Sequence, residues 1–140
     1  MTRFSTLLAA LSTSLVAVPL ASASSLTVNV EGIAQTQGAI MLGLFDEESY
    51  KGDGAVNGAV LAVESASVTV TFDDLAPGEY AVRLYHDLNE DGEMNTNPFG
   101  IPTEPYAFSN DARGRFGPAS WDDAKFSVDA DGTTHTITMN

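Results

Sequence analysis

Tyr80-Ala81-Val82-Arg83-Leu84-Tyr85 alternates its side chains: Tyr80, Val82 and Leu84 fall on one parity, Ala81, Arg83 and Tyr85 on the other. Successive side chains of a strand point to opposite faces, so this period of two predicts a half-buried β-strand. The same period recurs along the chain. Leu26, Val28 and Val30 share a face, as do Ile40, Leu42 and Leu44, and Val68, Val70 and Phe72 oppose Thr69 and Thr71. Phe126 pairs in parity with Val128, and Ile137 with Met139 opposite Thr136 and Thr138; a weaker run, Val60 to Val63, adds a seventh strand. Gly32, Gly38, Gly54, Gly58, Pro77-Gly78 and Asp131-Gly132 punctuate these runs with turn chemistry. No window past the first two dozen residues carries a persuasive helical period. The expectation is an all-β fold: a single antiparallel β-sandwich of about seven strands, with Asp131-Gly132 as the hairpin turn joining the last two.

Ahead of the first strand, Arg3, the apolar stretch Phe4 to Val18 and Ala21-Ser22-Ala23 fit the charged start, apolar centre and small-residue cleavage site of a secretory signal. Residues 1–23 are therefore expected to be removed, and residues 24–140 to form one domain. Removing 23 of the 140 residues leaves 117, enough for one core and not two. Only Arg3 of the 6 basic residues lies in the leader, so the mature chain carries 5 basic against 19 acidic residues and a formal charge of −14. That charge makes nucleic acid and anionic membrane surfaces poor partners. The chain has no cysteine, so it has neither disulfides nor a thiol for lipid attachment, and no later stretch is long enough to span a bilayer. A periplasmic or secreted monomer is expected.

One connection breaks the rhythm of short turns. From about residue 87 to 123 the chain shows no good strand pattern, and connections of that length in a compact domain are usually functional or disordered. Phe99, Ile101, Tyr106, Phe108, Phe116 and Trp121 supply apolar anchors that disordered segments lack, so a folded loop insertion is expected. Its first residues, Asp87-Leu88-Asn89-Glu90-Asp91-Gly92-Glu93-Met94-Asn95, place oxygen-bearing side chains at the first, third, fifth and ninth positions, with glycine at the sixth. A hard cation wants six to eight oxygen ligands, and a loop in this register can wrap one while glycine takes the sharp turn. Calcium is the expected ion, held by the side chains of Asp87, Asn89 and Asp91, the backbone carbonyl of Glu93, and Asn95 directly or through water. The twelfth position, where an EF-hand places a bidentate glutamate, is Pro98, so the loop is not an EF-hand. Glu104 is expected to return and supply the missing carboxylate, with Asp111 as a second candidate.

The remaining chemistry is sparse. His86 precedes the loop, but two histidines without cysteine argue against a dedicated transition-metal site, and His86 shares the parity of Leu84 at the core-facing end of its strand. No nucleophile elbow or serine-histidine-acid arrangement is recognisable, so no enzymatic activity is expected. The loop aromatics are expected chiefly as anchors, with Tyr106 and Trp121 also candidates for a ligand platform. Arg113 and Arg115 stand out among so many acids, and read either as internal partners of Glu104 or Asp111 or as recognition groups for a carboxylate or phosphate.

The run from Phe72 through Phe126 resembles the domain of unknown function 2141 family of exported bacterial proteins. Leu75-Ala-Pro-Gly-Glu-Tyr80, Tyr85-His-Asp87, Gly100-Ile-Pro102, Phe108-Ser-Asn110, Ala112-Arg-Gly-Arg-Phe-Gly-Pro118 and Asp123-Ala-Lys-Phe126 carry the resemblance. It implies no function, since that family has none assigned. Pro77-Gly78-Glu79-Tyr80-Ala81-Val82 is also similar to the strand entry of prealbumin-like and carboxypeptidase-regulatory-like sandwiches, an immunoglobulin-like architecture. The family tends to have aspartate where this chain has Asn95, which implies one charge fewer at the loop. Taken together, the expectation is a non-enzymatic envelope module whose calcium-stabilised loop presents Arg113, Arg115 and nearby aromatics to a protein, peptide or glycan. Two alternatives remain: a carboxylate-based hydrolase of envelope glycans or peptides, and a purely structural β module that binds no ion.

Overall fold

In the computed structural model the described residues are 16–17 and 23–139. The signal segment assigned to residues 1–23 therefore lies almost wholly outside them. Among the described residues eight strands form, β1 (Ser24–Glu31), β2 (Ala39–Phe45), β3 (Asn57–Ala62), β4 (Val68–Leu75), β5 (Gly78–Asp87), β6 (Tyr106–Phe108), β7 (Phe126–Val128) and β8 (Thr133–Thr138). They make two packed sheets. One has the order β4-β1-β8 and the other β3-β2-β5-β6, with β7 pairing the first residues of β5, Gly78 to Tyr80. Among the described residues no helix is long and apolar enough to cross a membrane.

The alternating residues fill the space between the sheets. Leu26, Val28, Val30 and Ile137 face Ile40, Leu42, Leu44, Val82 and Leu84, all buried in one continuous cluster. Burying a Val, Leu or Ile side chain is worth about 1.5 to 3 kcal/mol each, and this period-two set is what the sequence displays most openly. The outward residues stay polar on the smaller sheet, where Thr27 pairs with Thr71 and Asn29 with Thr69 through side-chain hydrogen bonds.

The last two strands depart from expectation. Asp131 and Gly132 do make a tight turn, closed by the Gly132 N–H donating to the Asp129 carbonyl at 3.0 Å. The strands on either side nevertheless do not pair. β7 joins β5 in one sheet while β8 lies parallel to β1 in the other. The turn thus carries the chain across the sandwich, and among the described residues β1–β8 is the one parallel pair, the others being antiparallel. The cause is burial: Val128 and Ile137 both reach the core, each from its own sheet.

His135 links the two strands across this crossing. Its ring stacks on Phe126 with centroids 4.0 Å apart, and its Nε2 accepts the Asn110 N–H at 3.1 Å, which leaves the proton on Nδ1. Burial holds the imidazole below its ordinary value of 6.5, opposed by the negative field of Asp111. A base depressed in the folded state binds fewer protons than the unfolded chain once pH drops below that value. The contribution of His135 to stability is therefore expected to be level above pH 6.5 and to fall as pH drops from there toward the lower folded value. Urea unfolding at pH 7.5 and 5.0 (about one unit or more either side of the free histidine value) checks this: the wild type should lose more stability than His135→Leu over the same interval.

Candidate functional site

The long connection leaves β5 at Asp87 and folds back over the outer face of the larger sheet. Asp87 is only 2% exposed, and its two carboxylate oxygens accept the N–H groups of Asp91 at 3.2 Å and Gly92 at 2.8 Å. Glu104, 7% exposed, does the same from the returning chain, taking the Leu88 N–H on one oxygen and the Asn95 N–H on the other, both at 3.1 Å. Two buried carboxylates thus fasten both ends of the loop to its own backbone. Gly92 permits this by adopting a left-handed φ of 77°, as its position in the register required.

Between these clamps Asp91 gathers the side-chain amides. Asn95 donates to its Oδ2 at 2.8 Å and Asn89 at 3.1 Å, while the Glu93 N–H donates to Oδ1 at 2.9 Å. The hydrogen bond from Asn95, then that from the Glu93 amide, holds the Asp91 carboxyl below its ordinary value. Asp87, Asn89, Asp91, Asn95 and Glu104 therefore belong to one connected network, and Glu104 does return to the loop. Glu93 joins through its main chain only, and its carboxylate is exposed. Asp111 stands apart from the network, its Oδ1 accepting the Thr138 N–H on the far side.

None of these carboxylates has a cationic partner among the described residues. Tyr85 reports the consequence. Its hydroxyl donates to the Gly92 carbonyl at 3.0 Å, and its phenol is pushed up by burial and then by the negative fields of Asp87, Glu104, Asp91 and Glu93. Among the described residues no three acidic or histidine side chains draw together closely enough to hold a metal by themselves. An ion here would have to complete its shell with asparagine and main-chain oxygens, as calcium readily does. His86 is not part of it: the ring is buried at the core end of β5, its Nε2 hydrogen-bonded to the Gln37 carbonyl at 2.6 Å.

The aromatics, expected chiefly as anchors, divide into two groups. Phe108 and Trp121 are buried, packed with Tyr50, Ala81, Ala119 and Ala124 in a small second core outside the sheet. Trp121 is 6% exposed and tilts against Tyr50 with ring centroids 5.5 Å apart, so it serves as an anchor rather than a ligand platform. Phe99, Ile101, Tyr106 and Phe116 lie exposed, Phe99 at 88% and Phe116 at 106%, although the Tyr106 ring meets Phe108 edge-on with centroids 6.0 Å apart. They face a groove of about 1250 Å³ over the outer surface of the larger sheet.

Strand register explains the floor of this groove. One cross-strand row runs Val60, Met41, Tyr85, Tyr106, and the next runs Gly58, Gly43, Arg83, Phe108. Residues paired across strands project from the same face, so the first row is a continuous apolar ridge. At Gly43 in the second row the Phe45 ring takes the space where a Cβ would stand, 2.8 Å from that position, and so comes against the Arg83 guanidinium. That guanidinium lies 3.7 Å over the Tyr50 ring and 4.9 Å from the Phe45 ring, and donates from Nη2 to the Tyr50 carbonyl. Its Nε is buried without a hydrogen-bond partner. Sequence reading passed over Arg83; the available signal was a cation on the outward parity of an otherwise apolar strand. Arg115 also lines the groove, whereas Arg113 lines a smaller depression with Glu104 and Asp111. Neither forms an ion pair with those acids, so the expectation of internal pairing does not hold.

With this geometry in view, one comparison is decisive. The family described as uncharacterized protein conserved in bacteria (DUF2141) matches residues 28–136. The chain belongs to the DUF2141 family. Its match begins in β1 and ends in β8, so the loop, the groove and every strand except the outer ends of β1 and β8 lie within the family region. Neither the curated proteins nor the solved structures include a match to this chain.

Proposed function

We propose that this DUF2141 protein is an exported, non-enzymatic binding module of the bacterial envelope, in which a calcium-stabilised loop forms one wall of a ligand groove. The observation that carries the reading is the pair of buried carboxylates, Asp87 and Glu104, compensated by backbone amides and by no cationic side chain. Buried charges are costly unless paired or ligated to a metal. A carboxylate oxygen has two lone-pair positions, so one amide on each still leaves room for a cation. Calcium would neutralise Asp87 and Asp91, and Asn89 and Asn95 would turn their amide oxygens inward to join it. The same loop carries Phe99 and Ile101 to the groove, which couples ion binding to the shape of the binding surface. Export rests on the signal pattern of residues 1–23.

Calorimetric titration with calcium, beside the Asp87→Ala/Asp91→Ala variant, tests this reading. Extracellular calcium modules bind with dissociation constants of about 10⁻⁴ to 10⁻³ M. At about 10 mM calcium a site at the tight end of that range stabilises by about 2.7 kcal/mol, raising the melting temperature by roughly 10 °C. The variant should show neither heat nor shift. A wild type indifferent to calcium and to chelator would remove the ion from the proposal.

A further inference from the structure

We infer that the groove takes a free single-chain amphiphile with an anionic head, of the long-chain fatty acid class; this deepens the binding-module reading and rests on it. The body of the ligand follows from the floor and walls. Met41, Tyr85, Ile101 and Tyr106 line a continuous apolar trough, and Phe99 and Phe116 stand on its rim with their rings in water. Apolar side chains gathered round a groove, in place of being scattered singly over the surface, are the arrangement a ligand-binding groove presents. An acyl chain laid in the trough would cover those two rings, and the stabilisation scales with the apolar area so removed from water.

The head follows from charge. The chain carries 19 acidic against 6 basic residues, yet the groove lining includes no acidic residue and two arginines, Arg83 and Arg115. In so acidic a protein an arginine has carboxylates in plenty to pair with, but neither has one within ion-pair distance among the described residues. The Arg83 guanidinium is fixed between aromatic rings beside the two glycines, with Nε still unpartnered, and Arg115 stands at the rim with Phe116. Guanidinium groups bind carboxylates through paired donors, and such charge-assisted bonds are the strong ones. An apolar trough whose lining holds two arginines without carboxylate partners complements an apolar chain with an anionic end. A nonpolar ligand would leave Arg115 without a counter-charge and the Arg83 Nε without a partner, and a polar one would leave the phenylalanines wet.

The test is displacement of Nile red, a neutral apolar dye, from the intact mature protein in calcium-containing buffer. Laurate is expected to displace it about tenfold more tightly than dodecanol, the gain from one charge-assisted contact. Arg115→Glu, at an exposed position, should erase that difference while dye binding persists. Equal displacement by the acid and the alcohol, or a tenfold preference untouched by both Arg115→Glu and Arg83→Gln, overturns the assignment of an anionic head and leaves the groove as a binding site for neutral apolar ligands. Absence of dye binding to the wild type, or undiminished binding by Phe99→Ser/Phe116→Ser, removes the groove reading itself and the amphiphile with it.

Discussion

Asp87→Ala is expected to destabilise the protein by about 3 kcal/mol and to release the loop from the end of β5. Hydrogen bonds to a charged group contribute about 1.5 to 3 kcal/mol each, and Asp87 accepts two, from Asp91 and Gly92. Both donors belong to exposed residues, so water recovers part of the loss and the sum stays near the lower bound. The released amides should lose their hydrogen-exchange protection, while those of β1 and β8 in the opposite sheet keep theirs. Asp87→Asn separates geometry from charge. It retains one acceptor oxygen and nearly the same volume, so without calcium it should cost about 1 kcal/mol, the worth of an ordinary hydrogen bond. With calcium present the gap between Asn and the wild type should widen, because the variant lacks the charge that the ion needs. A loss below about 1 kcal/mol for Asp87→Ala would mean that the buried carboxylate does not hold the loop.

Gly38→Ala should have an effect of similar size at the same place by a different route. Gly38 has a φ of 68°, in the left-handed region that costs a residue with a Cβ about 1 to 2 kcal/mol. The added methyl would also sit 2.1 Å from the Asp87 carbonyl oxygen and 3.0 Å from the Leu88 Cα. Both neighbours are backbone, so no side chain can swing aside, and overpacking of this kind costs a further 1 to 3 kcal/mol or so. The expected total is about 3 kcal/mol, with a melting temperature lower by roughly 10 °C. Since the clash pushes on the root of the loop, calcium affinity should weaken together with stability. Gly54→Ala is the control: its φ of 91° is also left-handed, but a Cβ there meets nothing within 4 Å. Comparable losses for the two variants would show that backbone strain alone, and not the approach to Asp87, sets the cost.

The two substitutions act on one joint from opposite sides, and this couples the loop to the sandwich. The β1–β2 connection passes so close to Asp87 that only glycine fits, and His86 next door is held by the Gln37 carbonyl of the same connection. The first residues of the loop therefore move with the core rather than with solvent. From there Glu104 ties the far end of the loop back, and Phe99 and Ile101 are carried between the two fastenings to the groove.

Local pattern was enough to reveal the sandwich and the root of the loop. Period two is a local property, so Leu26 to Val30, Ile40 to Leu44 and Tyr80 to Tyr85 declare their strands, and the Asp-x-Asn-x-Asp-Gly register declares a turn rich in carboxylates and amides. The pairing of β8 with β1 was hidden, because a tight Asp-Gly turn looks the same whether it joins neighbours in one sheet or crosses between two. The groove was hidden too. Its floor is assembled from four strands in register, Val60, Met41, Tyr85 and Tyr106 meeting only after β3, β2, β5 and β6 have paired. Nor does an aromatic in a long loop disclose whether it will be covered: Trp121 found Tyr50 to pack against, Phe99 and Phe116 found nothing, and that difference is settled by where the rest of the chain comes to lie.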